Sequence, residues 1–165
     1  GQFSLQRRWE DLSGAVAEVV EQFTATVHDR NFSLERPATP LMALIDRDRI
    51  IQAVRNLIDN AVKYSAEQGA IEVRVWSKDE RAYVSVADYG AGLTAEEMRL
   101  IFDAFSRGNR GREVAGSGLG LYITRGIVEA HGGHLAVHNR EGDQRAQGAI
   151  FTLLLPIGRP ADAQP

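Results

Sequence analysis

The stretch RIIQAVRNLIDNAVKY, residues 49–64, reads as a helix with two unlike faces. At about 100° per residue, Ile50, Val54, Leu57, Ile58 and Ala61 gather on one stripe, as a core-facing helix requires. Asn56, Asn60 and Lys63 follow at i, i+4 and i+7 and form a second stripe nearly opposite the first. Asparagine disfavours a helix interior because its amide competes for backbone hydrogen bonds. Two of them one turn apart need a reason. A solvated face is the plain one; the wall of a polar binding site is the other.

Outward from this helix, the sequence divides into short elements. Residues 11–28 carry Leu12, Val16, Val19, Val20, Phe23 and Val27 on one helical face. NFSLE and LMALI, on either side of Pro37 and Pro40, read as strands, and Asp46 or Asp48 is placed to cap the asparagine helix. AIEVRVW and YVSVAD alternate with period two around the charged turn SKDER, which predicts a hairpin. Thr94 and Glu97 form a capping box that opens a short helix running to Ile101. SRGNRGREVAGSG is rich in Gly and Arg and predicts a loop. A helix from about Leu119 to His131 stops at Gly132-Gly133, and HLAVHN and AIFTLLLP supply two further strands. The order predicts an α+β, two-layer sandwich: a mixed, mostly antiparallel sheet with helices on one face.

Composition narrows the chemistry. The chain has 165 residues, enough for one domain that buries about 70% of its unfolded surface. A net charge of -3 argues against a nucleic-acid surface. With no cysteine there is no disulfide, thiolate metal site or cysteine nucleophile. Lys63 and Lys78 are the only lysines, so one of the two stands on the odd helix face. No apolar run approaches a membrane span. The opening GQFSLQRRWEDL has no initiator Met, which suggests a piece of a longer chain with residues 1–8 as the end of a preceding helix. Residues 159–165 read as a tail.

Two glycine-rich segments bear on function. DYGAG (Asp88, Gly90, Gly92) follows a strand directly. It is either a tight turn or a carboxylate placed to accept from a base amine while glycines let backbone close on a ligand. GSGLGL (Gly116 to Leu121) opens a helix, where free N–H groups and the dipole favour an anion. A dinucleotide fingerprint needs a strand immediately before it, and RGNRGREVA is none. A P-loop needs Gly-Lys-Ser/Thr, which this chain does not have. Beside these loops the asparagine stripe reads as a wall of an Mg–nucleotide site, because amide oxygens are hard, neutral ligands and Lys63 offers a point charge for phosphate. Tyr64 lies on the flank of that stripe, where its ring could meet a base.

These motifs resemble those of the GHKL superfamily of ATPases and kinases, and most closely the catalytic ATP-binding domain of sensor histidine kinases. NLIDNAVKYS is similar to the family's N box, DYGAGL to its G1 box, IFDAFSRG to its F box and GSGLGLYITRGIVEAHGG to its G2 box; the likeness runs from about Ala43 to Pro156. The resemblance implies a Bergerat fold, ATP and Mg²⁺ as cofactors, and a site assignment residue by residue. Asn60 would ligate Mg²⁺ with Asn56 assisting. Lys63 would meet phosphate, Tyr64 would border adenine, and Asp88 would bind the adenine amine beside Gly90, Gly92 and Leu93. Ile101 would join the nucleotide-binding residues, and Phe102 and Phe105, the latter also nucleotide-binding, would anchor a lid of about residues 106–116, with Arg107 facing the phosphates. Gly116, Ser117, Gly118, Leu119, Gly120 and Leu121 would shape the G2 loop. Ala104 and Ser106 depart from the basic and aromatic residues that the F box often carries.

The resemblance also implies partners. The γ-phosphate would pass to a histidine on a dimerisation domain, then to a cognate response regulator. The whole protein would be a homodimer anchored in the membrane, this piece being a cytoplasmic domain and by itself a monomer. No histidine here is set in a helical phosphoacceptor motif: His28 heads into a strand, His131 and His134 straddle a glycine pair, and His138 lies in a strand. ATPases of the gyrase type put a glutamate one turn before the metal asparagine as a base for water. Asn56 stands there instead, and an amide takes no proton near neutral pH. An anti-sigma serine kinase lacks the F-box phenylalanines. A module that only holds ATP would not need every box intact.

Overall fold

A computed structural model describes residues 4–103, 118–141 and 147–159 of the chain. In order they form β1 (Arg8–Asp11), α1 (Leu12–Thr26), β2 (Asn31–Glu35), β3 (Met42–Ile45), α2 (Arg47–Tyr64), β4 (Ala70–Lys78), β5 (Arg81–Ala87), α3 (Ala95–Leu100), α4 (Gly120–Ala130), β6 (His134–Asn139) and β7 (Ala149–Pro156). The main sheet has the order β2-β4-β5-β7-β6. β2 runs parallel to β4 and every other neighbour is antiparallel. The hairpin predicted between β4 and β5 closes on Asp79 and Glu80, both at positive φ (52° and 60°), the geometry whose twist matches two-residue turns.

Period-two alternation decides which face of the sheet is covered. Ile71, Val73 and Val75 of β4, Ala82, Val84 and Val86 of β5, and Phe151, Leu153 and Leu155 of β7 are all buried on the inner face. Against them lie Val16, Val19 and Val20 of α1, the predicted stripe Ile50, Val54, Leu57, Ile58 and Ala61 of α2, and Ile127 and Val128 of α4. This is the expected two-layer arrangement.

One expectation needs correction. Arg8 begins a strand where the end of a helix was expected, and residues 4–7 are neither helix nor strand. β1 pairs antiparallel with β3 as a separate two-stranded sheet, and the Gln6 N–H donates to Asp46 Oδ2 at 2.9 Å. The backbone groups a helix would keep to itself are spent on neighbours distant in the chain.

Both ends of α2 are pinned. At its start, the Asp46 side chain accepts from the Arg49 N–H at 3.3 Å, so Asp46 rather than Asp48 is the cap. At its end, the largely buried Arg30 donates from Nε to Ser65 Oγ at 2.8 Å and from Nη2 to Val62 O at 3.3 Å, a cation where the helix dipole favours one. α4 lies against α2 and turns at Gly132 and Gly133 into β6; a Cβ at Gly133 would stand 2.1 Å from the Leu154 carbonyl oxygen.

His131 joins these helices. The Asp46 N–H donates to its Nε2 at 3.0 Å, so the ring proton is on Nδ1, which donates to Ile127 O at 2.8 Å. Burial holds its pKa below the ordinary histidine value, the bond to Ile127 opposes that, Arg7 adds to it and Asp46 opposes it. The folded state therefore favours neutral His131 more than the unfolded chain does. Its contribution to stability is complete above the unfolded value of about 6.5 and is lost as pH falls through the lower folded value. The thermal midpoint of the domain is expected to fall as pH is lowered below about 6.5. His131→Asn, which does not titrate, should be less stable at neutral pH and show a flatter profile over that acidic range; an unchanged slope in calorimetric melts would refute the assignment.

Candidate functional site

Asn56, on the polar stripe of α2, meets the start of α4. Asn56 Nδ2 donates to Gly120 O at 3.2 Å and to Thr124 Oγ1 at 3.3 Å, while the Thr124 hydroxyl donates to Gly120 O at 2.8 Å. A carbonyl only accepts, so the amide nitrogen must face α4 and Oδ1 is turned away from it. Among the described residues nothing donates to Asn56 Oδ1, and the half-buried Asn60 side chain makes no hydrogen bond. Lys63, exposed at the end of the stripe, pairs with Asp59 Oδ2 at 2.9 Å. An exposed pair of this kind contributes only about 0–1 kcal/mol and exchanges readily for another anion.

The last residue of α2 meets the loop that follows β5. A Cβ at Gly90 would stand 2.2 Å from the Tyr64 carbonyl oxygen, so only glycine lets the loop lie this close. Asp88 is 2% exposed. Its Oδ1 accepts from Gly90 N at 2.8 Å and from Ala149 N at 3.3 Å, and among the described residues nothing donates to Oδ2. The carboxylate is thus held rigidly by one oxygen with the other left open. Gly92 takes φ +74° and Leu93 packs against the core.

The remaining walls come from α3 and α4. Ile101 and Phe102 are half-buried against the core, with the Phe102 ring edge-on to Phe151 at 6.2 Å. Gly118 takes φ +72°, Leu119 is the N-cap of α4 and makes no side-chain cap, and Leu121 packs against the core. The first turn of α4 holds no acidic residue. Its N–H groups therefore keep the dipole's anion preference. Phe105, Arg107, Gly116 and Ser117, with Ala104, Ser106 and the whole of the expected lid, lie outside the described residues.

Several residues that build this site were not singled out from sequence. Thr124, fully buried, orients Asn56 from 68 positions away. Asn139 pairs with both backbone groups of Leu93, and Arg140 reaches Tyr89 and Glu72. Gly148 lies under Asp88, where a Cβ would stand 2.0 Å from the Asp88 carbonyl oxygen. A glycine immediately before a strand was the one available signal; for the others sequence periodicity carries none.

The family model for "Histidine kinase-, DNA gyrase B-, and HSP90-like ATPase" matches residues 45–159. The chain belongs to that ATPase family. Within it, the likeness is to sensor histidine kinases. The sensor histidine kinase WalK of Bacillus subtilis is 33% identical over 159 residues, covering 93% of this chain and 25% of WalK. The chain thus spans a quarter of the length of that relative. The catalytic domain of the histidine kinase ThkA superposes with a TM-score of 0.81 at 28% identity, over 93% of this chain and 97% of that domain. ThkA has also been solved in complex with the response regulator protein TrrA (TM-score 0.77, 26% identity, 92% of this chain and 42% of that one). Full-length ShkA in complex with AMPPNP matches with a TM-score of 0.79 at 28% identity, over 98% of this chain and 33% of ShkA. The chain is a catalytic domain of this ATPase type, and the expected α+β two-layer sandwich with its mixed sheet agrees with these neighbours.

The junction of α2 with the 88–93 loop leaves no room for a side chain at Gly90. Gly90→Ala is expected to destabilise the domain by about 1–3 kcal/mol, the usual range for overpacking. Ala91→Ser, on the exposed neighbour, should change little. Equal denaturation midpoints for Gly90→Ala and the parent would show that the loop lies elsewhere.

Proposed function

We propose that this chain binds Mg-ATP and transfers the γ-phosphate to a histidine of a separate helical domain, from which a response regulator receives it. The observation that carries the reading is Asp88, a buried carboxylate at a strand end with one oxygen pinned by backbone and the other open. Such an acceptor suits the exocyclic amine of adenine and repels the carbonyl that guanine presents there. Tyr64 borders the same loop from the end of α2.

The donor set fits magnesium. Asn60, with Asn56 beside it, offers neutral amide oxygens, and hard cations that keep most of their waters take few protein ligands of this kind. Bound there, Mg²⁺ would neutralise charge on the phosphates. The start of α4, which has no side-chain cap at Leu119 and carries Gly118 at φ +72° and Gly120 without a side chain, would receive phosphate oxygens through N–H groups. Lys63 exchanges Asp59 for phosphate, and Arg107 is assigned to the same phosphates. Phe105, Gly116 and Ser117 are assigned to nucleotide binding by the family resemblance alone.

Asn56 separates transfer to histidine from hydrolysis. Its nitrogen is engaged by α4, and an amide is no base for water. A neutral imidazole attacks phosphorus without prior loss of a proton, the bond to the bridging oxygen breaks, and ADP leaves. Positioning and charge neutralisation suffice for such a step. Among the described residues no helix is long and apolar enough to cross a membrane. The acceptor domain, the dimer contacts and a membrane anchor are assigned to the rest of a longer kinase, with this domain on the cytoplasmic side.

Asp88→Ala should weaken ATP binding about 10–150-fold, the worth of one hydrogen bond to a charged group, and the parent should bind GTP poorly. Asn60→Ala should remove the Mg²⁺ dependence of nucleotide affinity and abolish transfer, with a smaller effect at Asn56. With labelled ATP, the chain alone should stay unlabelled, while a supplied phosphoacceptor domain should gain an acid-labile, base-stable phosphate. Equal calorimetric affinity for ATP and GTP, or acid-stable label on either chain, would overturn the reading.

A further inference from the structure

The loop from Asp88 to Leu93 is gripped on both sides of Gly90 and Ala91 by two consecutive residues, Asn139 and Arg140, where β6 ends. The Leu93 N–H donates to Asn139 Oδ1 at 2.8 Å, and Asn139 Nδ2 donates to Leu93 O at 2.7 Å. The side-chain amide thereby replaces a missing strand, meeting both backbone groups of one residue. Its orientation is unambiguous, because the N–H only donates and the carbonyl only accepts. Gly92 makes room for it: a Cβ there would stand 2.9 Å from Asn139 Oδ1.

Arg140 holds the other side. Its guanidinium carbon lies 3.8 Å from the centre of the Tyr89 ring, Nη2 donates to the Tyr89 hydroxyl at 2.6 Å, and Nη1 donates to Glu72 Oε2 at 3.1 Å. The Tyr89 hydroxyl in turn donates to Glu72 Oε1 at 2.9 Å, which together with burial raises the phenol's pKa above its ordinary value. The Arg140 N–H donates to Gly148 O at 2.9 Å, so the residue also anchors the glycine that lies under Asp88. Tyr89 and Leu93 are the two posts between which the loop is strung, and Asp88 adjoins the first.

We infer that Asn139, with Arg140 behind it, is a positioning residue for base recognition: it sets the placement of the loop, and so of the open Asp88 oxygen, without touching the nucleotide. This rests on the reading of Asp88 as the acceptor for an adenine-type amine. A carboxylate discriminates between bases only if its oxygen is held within a fraction of an ångström of the amine, and a mobile loop would lose that discrimination.

The test is a calorimetric cycle with ATP and GTP on the parent, Asn139→Ala, Asp88→Ala and the double variant. Asn139→Ala should lower ATP affinity about tenfold and leave GTP affinity nearly unchanged, shrinking the ratio between them. A general loss of structure would weaken both nucleotides alike. In the Asp88→Ala background the further loss should nearly vanish, because the two residues act as one unit. Asn139→Asp, of the same size, keeps the acceptor for Leu93 N–H, loses the donor to Leu93 O and should fall between parent and Asn139→Ala. It serves if the alanine variant fails to fold. Weak ATP binding by Asp88→Ala with parental binding by both Asn139 variants overturns this inference alone, as does an equal loss in both backgrounds. Parental ATP affinity in Asp88→Ala overturns the nucleotide reading and this inference with it.

Discussion

Helix α2 is seated by two demands that act on opposite sides of one rod. Ile50, Val54, Leu57 and Ile58 are wholly removed from water against the sheet, which sets the helix's rotation about its axis. That rotation turns Asn56 towards α4, where Gly120 O and Thr124 accept from its amide. A rotation by one residue would expose the apolar stripe and break these bonds together. Everything on the polar side therefore inherits its position from burial on the apolar side. The pinned ends, Asp46 at the start and Arg30 at the finish, remove the remaining freedom to slide.

The end of α2 passes this placement to the rest of the site. Tyr64 offers a carbonyl against which Gly90 lies directly, and that contact places the loop carrying Asp88. From the other direction, β6 and β7 hold the same loop through Asn139, Arg140 and Gly148. The Asp88 loop is thus clamped between a helix end and two strand ends, while α4 contributes a helix start that has no side-chain cap among the described residues. Acceptors stand on one side and donors on the other, and the proposed nucleotide would lie with its base towards the sheet and its phosphates towards the helix dipole.

His131 has a different kind of role. It ties the end of α4 to the start of α2 and lies next to Gln6 and Arg7, which bond to Asp46 and to Ala130 O. A neutral ring is required there, since its Nε2 must accept. Of the two histidines that straddle the Gly132-Gly133 pair, His131 is a structural joint. His134 is exposed on β6 and takes no part in it.

Much of this protein was legible from its residues alone. The two stripes of α2, the alternation of β4, β5 and β7, the capping box at Thr94 and the glycine stop after α4 each rest on local periodicity or local hydrogen bonding, which a linear pattern records directly. Asn56, Asn60 and Asp88 could be singled out because a polar amide in mid-helix and a carboxylate at a strand end break those patterns. What only the tertiary structure decided was pairing across long separations. β1 is four residues long and largely polar, and exists only because β3 offers it an edge. Thr124 and Asn139 are ordinary residues in ordinary elements until the fold brings them to Asn56 and Leu93. The direction of the Asn56 amide likewise follows from a carbonyl 64 residues away. Periodicity tells which way a side chain faces; which atom it meets there depends on how separate elements pack, and packing is a property of the whole chain.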